Sequence, residues 1–460
     1  MPSRQDQLHS YQFTVQRAVA ALVMRETDPV VSPFRRLAGA TLASVLVAAI
    51  ALGAAALYGL FAGGGSAWRD ERAVVVEKES GARFVYRDGK LHPVSNYASA
   101  LLIVGAERAK TVLVSRRSIE GVPRGLPLGI PDAPDSLPAA GRLTTAPWTV
   151  CSVTGVDASP PRSVLLVGAT ARDGRPLGDD AVLLRPPDGS LHLVWHRHRH
   201  RLRDVNRVLA ALAATRQRAV PVAPALLDSL PAGPDLAPLD LPGLGEPSEA
   251  VAGADIGDVY LVANSGGGRQ YVVVDRDGVA GITELQASLL LARTGQGDPR
   301  PLTLGRFARL PKLPDLVPGG PTAPPTSPPR LVRPEAGAIC GQVGDDGGVR
   351  EVRVGATVPE RVAVPGGGVD GVTGGAADHV VVEPGRGAVI ESVAAPGATG
   401  GAVSVVTDLG RRHVVASTEV LGMLGYPDVR PVRLPAGLVS LVPAGSPLDP
   451  EVARQVAAPA

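Results

Sequence analysis

The longest apolar stretch of the chain lies near its N-terminus, at residues 37–61, and no charged residue interrupts it. As an α-helix it would be roughly 37 Å long, which is enough to cross a hydrocarbon core of about 30 Å with some tilt. A cleavable signal peptide has a shorter apolar region and begins nearer the first residue. The pattern therefore predicts an uncleaved transmembrane helix at 37–61.

A second pattern precedes this stretch, because apolar residues recur there at helical spacing. They include Leu8, Tyr11, Val15 and Leu22. Two interpretations of this amphipathic helix stay open: a helix lying on the membrane surface, or a docking helix for a cytosolic partner. Arg35 and Arg36 directly abut the apolar stretch. This mild positive-inside bias favours a cytosolic tail at residues 1–36, with the bulk of the chain on the other side.

After the predicted anchor, short β-type runs alternate with helical ones, as at residues 83–86, 98–104 and 111–114. The chain contains 55 glycines and 44 prolines, and only 3% of its residues are aromatic. This composition is typical of short elements separated by many turns. We therefore expect an α+β fold, preceded by a flexible linker at residues 62–80.

Two pairs of similar segments indicate an internal duplication. Residues 87–102 (RDGKLHPVSNYASALL) align without gaps on residues 276–291 (RDGVAGITELQASLLL), which lie 189 positions later. Residues 226–238 and 438–450 share Leu, Pro-Ala-Gly and Pro at a separation of 212. The larger offset of the second pair predicts an insertion in the second copy, which we place in the Gly-rich segment 362–379.

The duplication divides the region after the anchor into two halves. We assign the first half to residues 81–238 and the second to residues 270–450. A Pro/Gly-rich connector at residues 239–269 joins them, and residues 451–460 form a C-terminal tail.

The only two cysteines, Cys151 and Cys340, are separated by the same offset as the first pair of segments, so they occupy equivalent positions in the two copies. If the copies pack about a pseudo-two-fold axis, residues near that axis face their own counterparts. We therefore predict a structural disulfide between the halves, with two unrelated buried thiols as the alternative. Such a bond needs an oxidising compartment, which supports a location outside the cytosol for this domain.

The alternating run at residues 195–201 (WHRHRHR) is the most conspicuous local cluster. Side chains that alternate along a strand share one face, so His196, His198 and His200 are candidates for a zinc site. The alternative is a polar hairpin tip, which is favoured because no Cys or carboxylate cluster nearby adds ligands. No metal site is therefore predicted.

Other candidate chemistry is weak. The sequence has no Gly-x-x-x-x-Gly-Lys-Ser/Thr phosphate loop, and the formal G-x-G-x-x-G match at residues 366–371 continues into more glycines where a dinucleotide fold needs a helix. Asp132 and Asp135 lie in a Pro-rich loop and are interpreted as solvated turn carboxylates. With 46 basic and 44 acidic residues there is no excess charge for nucleic acid. No catalytic residue and no cofactor are predicted, and a non-enzymatic role is favoured.

Together these segments resemble the EccB family, the single-pass envelope subunit of the type VII (ESX) secretion machinery. The resemblance rests on the tail at residues 10–36, on DGKLHPVSNYASALL, on LGIPDAPDSLP at residues 128–138, on WTVCS around Cys151, and on DVYLVANSGGGRQYVVV at residues 258–274. The run HRHRHR departs from the family pattern, which tends to have an Asp-Gly-type turn there, and so does the Gly-rich insertion.

The resemblance implies a membrane-anchored structural subunit of a secretion complex. It implies an elongated periplasmic domain, with a central β-rich unit joined by the disulfide and four small α+β repeat modules. It also implies assembly with EccC-, EccD- and EccE-type subunits in the inner membrane, self-association, and a tail that contacts cytosolic partners. A nucleotide hydrolase and a cell-wall-binding module are the alternative functions.

Overall fold

The computed structural model describes residues 3–25, 33–62, 66–145, 147–154, 159–264, 266–317, 319–334, 336–359, 364–365, 375–395 and 397–457. Two helices come first, α1 (Arg4–Met24) and α2 (Pro33–Ala62). Within α2, residues 38–56 are long and apolar enough to cross a membrane, and none of them is buried inside the protein. Most of the predicted Gly-rich insertion, including the motif at 366–371, lies outside the described residues.

The rest of the chain alternates between small modules and strands of one central sheet. Module 1 contains β1 (Ala73–Glu77), β2 (Arg83–Arg87), β3 (Lys90–Pro93), α3 (Tyr97–Val104), β4 (Lys110–Val114) and α4 (Arg116–Ile119). The central strands β5 (Trp148–Val153), β6 (Arg162–Val167) and β7 (Arg175–Pro176) follow. Module 2 contains β8 (Ala181–Arg185), β9 (His192–Trp195), β10 (His198–Arg201), α5 (Val205–Ala211), β11 (Val220–Pro221) and α6 (Pro224–Ser229).

The second half repeats this order. Module 3 contains β12 (Val259–Ala263), β13 (Arg269–Asp275), β14 (Gly278–Ile282), α7 (Glu284–Thr294), β15 (Arg300–Leu302), α8 (Leu304–Arg309) and β16 (Lys312–Leu313). The next strands are β17 (Leu331–Val332), β18 (Ala338–Val343), β19 (Val349–Ala356), β20 (Val364–Pro365) and β21 (His379–Val382). Module 4 contains β22 (Ala388–Val393), β23 (Ala402–Val406), β24 (Arg412–Val414), α9 (Glu419–Met423), β25 (Val432–Pro435) and α10 (Ala436–Ser440), and α11 (Pro450–Ala453) follows. Short 3₁₀ helices span Ser66–Arg69, Ala140–Arg142 and Arg216–Arg218.

All four modules share one topology. Three strands form an antiparallel meander, a helix follows, and a fourth strand returns parallel to the first. In modules 1 and 3 the helix begins at a polar cap, Asn96 or Thr283, whose side chain accepts a backbone N–H. It ends at Gly105 or Gly295 in the left-handed conformation. The repeated segments of the sequence therefore mark the turn and helix of equivalent modules.

The central sheet has seven strands in the order β20-β21-β6-β5-β18-β19-β7. At its middle, β5 pairs with β18 in antiparallel register, so that Cys151 lies opposite Cys340. Because β18 is the counterpart of β5 in the second copy, the pseudo-two-fold axis passes between the two cysteines. One face of this sheet packs against Leu226 of α6 and Leu438 of α10.

The modules of one copy pack against modules of the other copy. Modules 1 and 4 share a core that includes Leu102 of α3 and Leu421 of α9. Modules 2 and 3 share another, in which Val208 of α5 and Leu289 of α7 are buried. Each shared core therefore joins a module of the first copy to a module of the second.

Three predicted boundaries are wrong, because apolar residues inside the presumed spacers are buried. The linker predicted at 62–80 contains β1 and the buried Trp68. The connector predicted at 239–269 contains β12 and the buried Ile256, both of which belong to module 3. The C-terminal tail predicted at 451–460 contains most of α11, which packs on α3. Pro/Gly composition marked these stretches as spacers, although their few apolar side chains complete module cores.

Candidate functional site

The structural centre of the molecule is the bond between Cys151 and Cys340. Their Cα atoms are 4.0 Å apart, and both side chains are almost wholly buried. Val164, Leu166 and Ala356 surround the bond. The disulfide thus crosses the pseudo-two-fold axis inside an apolar layer, where it joins the two copies and has little contact with solvent.

The histidine run forms a hairpin, but its side chains do not converge on one point. His196 lies in the turn with a φ of 53°, and its Nε2 is 3.1 Å from Asp179 Oδ1. His198 is half-buried at the start of β10. Among the described residues there is no group of three or more His, Cys, Asp or Glu side chains that could hold a metal ion. The geometry therefore agrees with the interpretation of His196 as part of a polar hairpin tip.

His200 has a different environment, which sequence reasoning missed. Its side chain is fully buried, and Nδ1 donates a hydrogen bond to the carbonyl of Pro234 at 2.8 Å. Burial is the main cause that lowers the pKa of His200, so the neutral imidazole is favoured. This histidine is a structural core residue rather than a metal ligand.

A groove of about 660 Å³ lies beside this hairpin. Arg199, Arg201 and Arg203 line it together with Asp188, Asp228 and Asp235. Arg203 Nε donates to Asp235 Oδ2 at 2.6 Å, and Arg199 Nε donates to the Leu230 carbonyl at 3.0 Å. The opposite charges balance, so the groove has no field of one sign that would concentrate a charged ligand.

The two acidic loop residues have separate structural environments. Asp135 accepts a hydrogen bond from Arg83 at 2.7 Å and another from the backbone N–H of Tyr97 at 3.2 Å, at the start of α3. Asp132 is exposed. Asp135 therefore supports the first turn of α3 by satisfying one of its free N–H groups, which is a structural role.

Outside the candidate membrane span, α1 exposes several large apolar side chains. Tyr11, Phe13 and Leu22 are 70%, 58% and 83% exposed, respectively. Ser3 and Asp6 form a capping box that fixes the start of this helix. A described helix with several large exposed apolar side chains is a candidate surface for a protein or membrane partner.

The comparisons with known proteins agree over nearly the whole chain. Residues 1–458 match the family model described as "Type VII secretion system ESX-1, transport TM domain B". The "ESX-3 secretion system ATPase EccB3" of Mycolicibacterium smegmatis is 28% identical over 471 residues, which cover 96% of this chain and 88% of that protein. The "ESX-5 secretion system ATPase EccB5" of Mycobacterium tuberculosis is 32% identical over 316 residues, which cover 66% and 61% of the two chains.

Solved structures show the same fold. A chain in the "Structure of an intact ESX-5 inner membrane complex" superposes with a TM-score of 0.70 at 27% identity and covers 100% of this chain and 96% of its own length. The "Structure of EccB3 dimer from the ESX-3 core complex" gives a TM-score of 0.67 at 28% identity, with coverage of 83% and 100%.

Proposed function

Because this chain belongs to the EccB family of type VII secretion systems, we propose that it is a membrane-anchored structural subunit of an ESX-type secretion complex. In this proposal the chain links a cytosolic docking tail to a scaffold domain on the periplasmic side. The observation that carries the proposal is the arrangement of the chain: one candidate span lies between the exposed helix α1 and a duplicated, disulfide-linked domain. Among the described residues, we recognise no set of catalytic side chains either before or after the candidate span.

The orientation is argued from chemistry. A disulfide persists in an oxidising compartment, and Cys151–Cys340 lies in the domain that follows α2. The tail before α2 then lies in the cytosol, in agreement with the positive residues Arg35 and Arg36 directly before the apolar stretch.

We propose two kinds of partner for the two sides. On the cytosolic side, α1 would dock on an EccC-, EccD- or EccE-type subunit through Leu8, Tyr11 and Leu22, since these side chains are exposed and helical spacing places them on one face. On the periplasmic side the scaffold would associate with further copies of itself. A solved relative is described as an EccB3 dimer, which supports self-association.

Nucleotide hydrolysis is not part of the proposal, although the names of the relatives include the word ATPase. The sequence contains no Gly-x-x-x-x-Gly-Lys-Ser/Thr loop to cradle phosphates. A scaffold explains the buried disulfide and the shared module cores, which catalysis would not require.

The docking role is tested on the full chain, expressed with the other subunits and extracted in mild detergent. We expect that Tyr11→Ala combined with Leu22→Ala, which removes two exposed apolar side chains from one face of α1, or deletion of residues 1–36, prevents co-purification of the other subunits. The outer domain should still fold, which is checked by the presence of the Cys151–Cys340 disulfide on non-reducing peptide maps.

The matched control replaces polar residues of the same helix. Gln12→Ala and Gln16→Ala together remove two exposed side chains of α1 without changing its apolar residues. This variant should assemble normally. Intact assembly without residues 1–36 would contradict the docking role.

A further inference from the structure

A histidine and a glycine make the same contact in three of the four modules. In module 2, His200 lies on the third strand, and its Nδ1 donates to the carbonyl of the residue after Gly233. In module 4, His413 Nδ1 donates at 3.0 Å to the carbonyl of Ser446, the residue after Gly445. In module 1, His92 Nδ1 donates at 3.1 Å to the carbonyl after Gly125. We call each such pair a His–Gly clamp.

The glycine is needed because the imidazole packs directly against its Cα. A Cβ at Gly125, Gly233 or Gly445 would collide with the ring of the histidine in the same module. Each clamp therefore fixes a closing loop, at residues 123–128, 231–236 or 443–448, against the third strand. Short parallel bridges accompany the contact, such as Arg199 with Ala232 and Arg412 with Ala444.

Module 3 holds its closing loop differently. In the alignment of the two copies, the position equivalent to His92 is Gly281 on β14. The position equivalent to Leu126 is Asp315, whose carboxylate occupies the space beside Gly281. The loop still pairs with the third strand, since β16 lies parallel to β14. The topology therefore does not require a histidine, and module 3 serves as an internal comparison.

Two of the clamps lie where modules of different copies meet. The carbonyl of Thr322, from the segment that follows module 3, lies beside Gly233 of module 2. Leu448, in the closing loop that His413 holds in module 4, is buried in the core that this module shares with module 1. After the clamp of module 4, the chain returns to module 1, where Val456 forms a β-bridge with Leu128. Both junctions between the copies thus include a buried histidine.

Protonation would disrupt these two clamps. His200 and His413 are 0% and 2% exposed, and within the described part of the chain His200 Nε2 has no hydrogen-bond partner. For His200 a second proton would therefore place a charge in a buried site without an acceptor, and for His413 it would place a charge on a ring that is almost wholly buried. Burial is the largest cause that lowers the pKa of both side chains.

The charged neighbours of the two rings act in both directions. His198 lowers the pKa of His200 and Asp235 raises it. Arg411 lowers the pKa of His413 and Asp132 raises it. The hydrogen bonds to the Pro234 and Ser446 carbonyls also raise the pKa of His200 and His413, but burial is the largest effect, so each pKa lies below its value in the unfolded chain. The stabilisation is therefore complete above about pH 6.5 and is lost as the pH falls.

We propose that the clamps at His200 and His413 are a pH-sensitive device that keeps the closing loops at both junctions in place at neutral pH and loosens these loops in an acidic medium. The closing loop of module 3 does not respond, because it has no histidine. The Cys151–Cys340 bond keeps the halves connected while the two loops loosen.

The test is hydrogen exchange with mass spectrometry on the full chain in detergent, at about pH 7.5 and pH 5, with labelling times scaled for intrinsic exchange. The reporters are the amides of Leu236 and Leu448, which donate to Arg201 and Val414 at 2.8 and 2.7 Å. The equilibrium constant for opening of each loop, obtained from its exchange rate, should increase by up to about tenfold for each pH unit below pH 6.5. Protection of the loop at 311–316 should not change.

The decisive variants are His200→Asn and His413→Asn, since the Asn amide can donate where Nδ1–H did but cannot be protonated. Each should remove the pH dependence from its own loop and leave it in the other. The proposal is overturned if the wild-type loops are equally protected at both pH values, if the loop of module 3 opens with them, or if the Asn variants keep the acid response. The comparison between loops of the wild-type chain holds even where a variant does not fold.

Discussion

At the scale of single residues, the glycines of the clamps are as specific as the histidines. Gly445 has an ordinary backbone conformation, so its requirement is purely steric: the ring of His413 lies where a methyl group would be. Gly437, which lies earlier in the same module in α10, has open space around its Cα. Two glycines in one module thus differ both in what faces them and in local structure, since Gly437 is helical and Gly445 lies in the closing loop.

This contrast gives a stability prediction. Gly445→Ala should destabilise the protein by about 1 to 3 kcal/mol, because the new methyl group must displace a buried imidazole. Gly437→Ala should be neutral or stabilise by up to about 1 kcal/mol, since Ala restricts the unfolded chain and fits a helix. Urea unfolding of both variants measures the difference. Equal midpoints would contradict the steric role of Gly445.

The sequence predicted the cysteine pair and a polar hairpin tip at His196, but it did not reveal that His200 is buried. Equal offsets placed Cys151 opposite Cys340, because a pseudo-two-fold axis makes equivalent residues face each other. Alternation grouped His196, His198 and His200 on one side of a strand, yet it does not indicate which of them the neighbouring loop covers. A signal was available, since the interval from His92 to Gly125 equals the interval from His200 to Gly233.

At the scale of elements, the repeated segments correctly located the turn and helix of modules 1 and 3. The meander topology itself could not be read from them, because each module has strands of only two to seven residues with little alternation. The boundaries failed for a related reason. Trp68 and Ile256 complete cores together with residues of the strands and helix that follow them in the same module, which the Pro/Gly composition of the preceding stretch does not reveal.

One buried hydrogen bond at the junction between modules 1 and 4 can be tested for its contribution to stability. Tyr426 is 2% exposed, and its hydroxyl donates to the carbonyl of Pro138 at 2.7 Å. Tyr426→Phe leaves that carbonyl without its donor and should cost about 1 to 3 kcal/mol in urea unfolding. Tyr97→Phe is the control, because its hydroxyl contacts Thr111 at the exposed surface. A loss of stability no larger than in the control would show that the bond contributes nothing to the junction.

At the scale of the whole molecule, the two copies depend on each other because each packs its modules against those of the other. Modules 1 and 4 share one core and modules 2 and 3 share another, so neither half can be complete alone. The two copies are therefore joined by packed interfaces as well as by the segment that connects the halves. The disulfide on the axis then secures an association that the shared cores already create.

Because both the shared cores and the disulfide join the copies, we can predict how the protein behaves without its disulfide. The double variant Cys151→Ala, Cys340→Ala should still fold, because the register of β5 with β18 and the shared cores remain. Its free energy of unfolding should fall by about 5 kcal/mol in the chain-entropy model for a loop of this length. Urea unfolding monitored by the fluorescence of the three tryptophans reports on it, since Trp68 lies in module 1, Trp148 in the central sheet and Trp195 in module 2. Reduced wild-type protein should match the variant. If reduction leaves the midpoint unchanged, the bond does not stabilise the association of the copies, and packing alone holds the scaffold together.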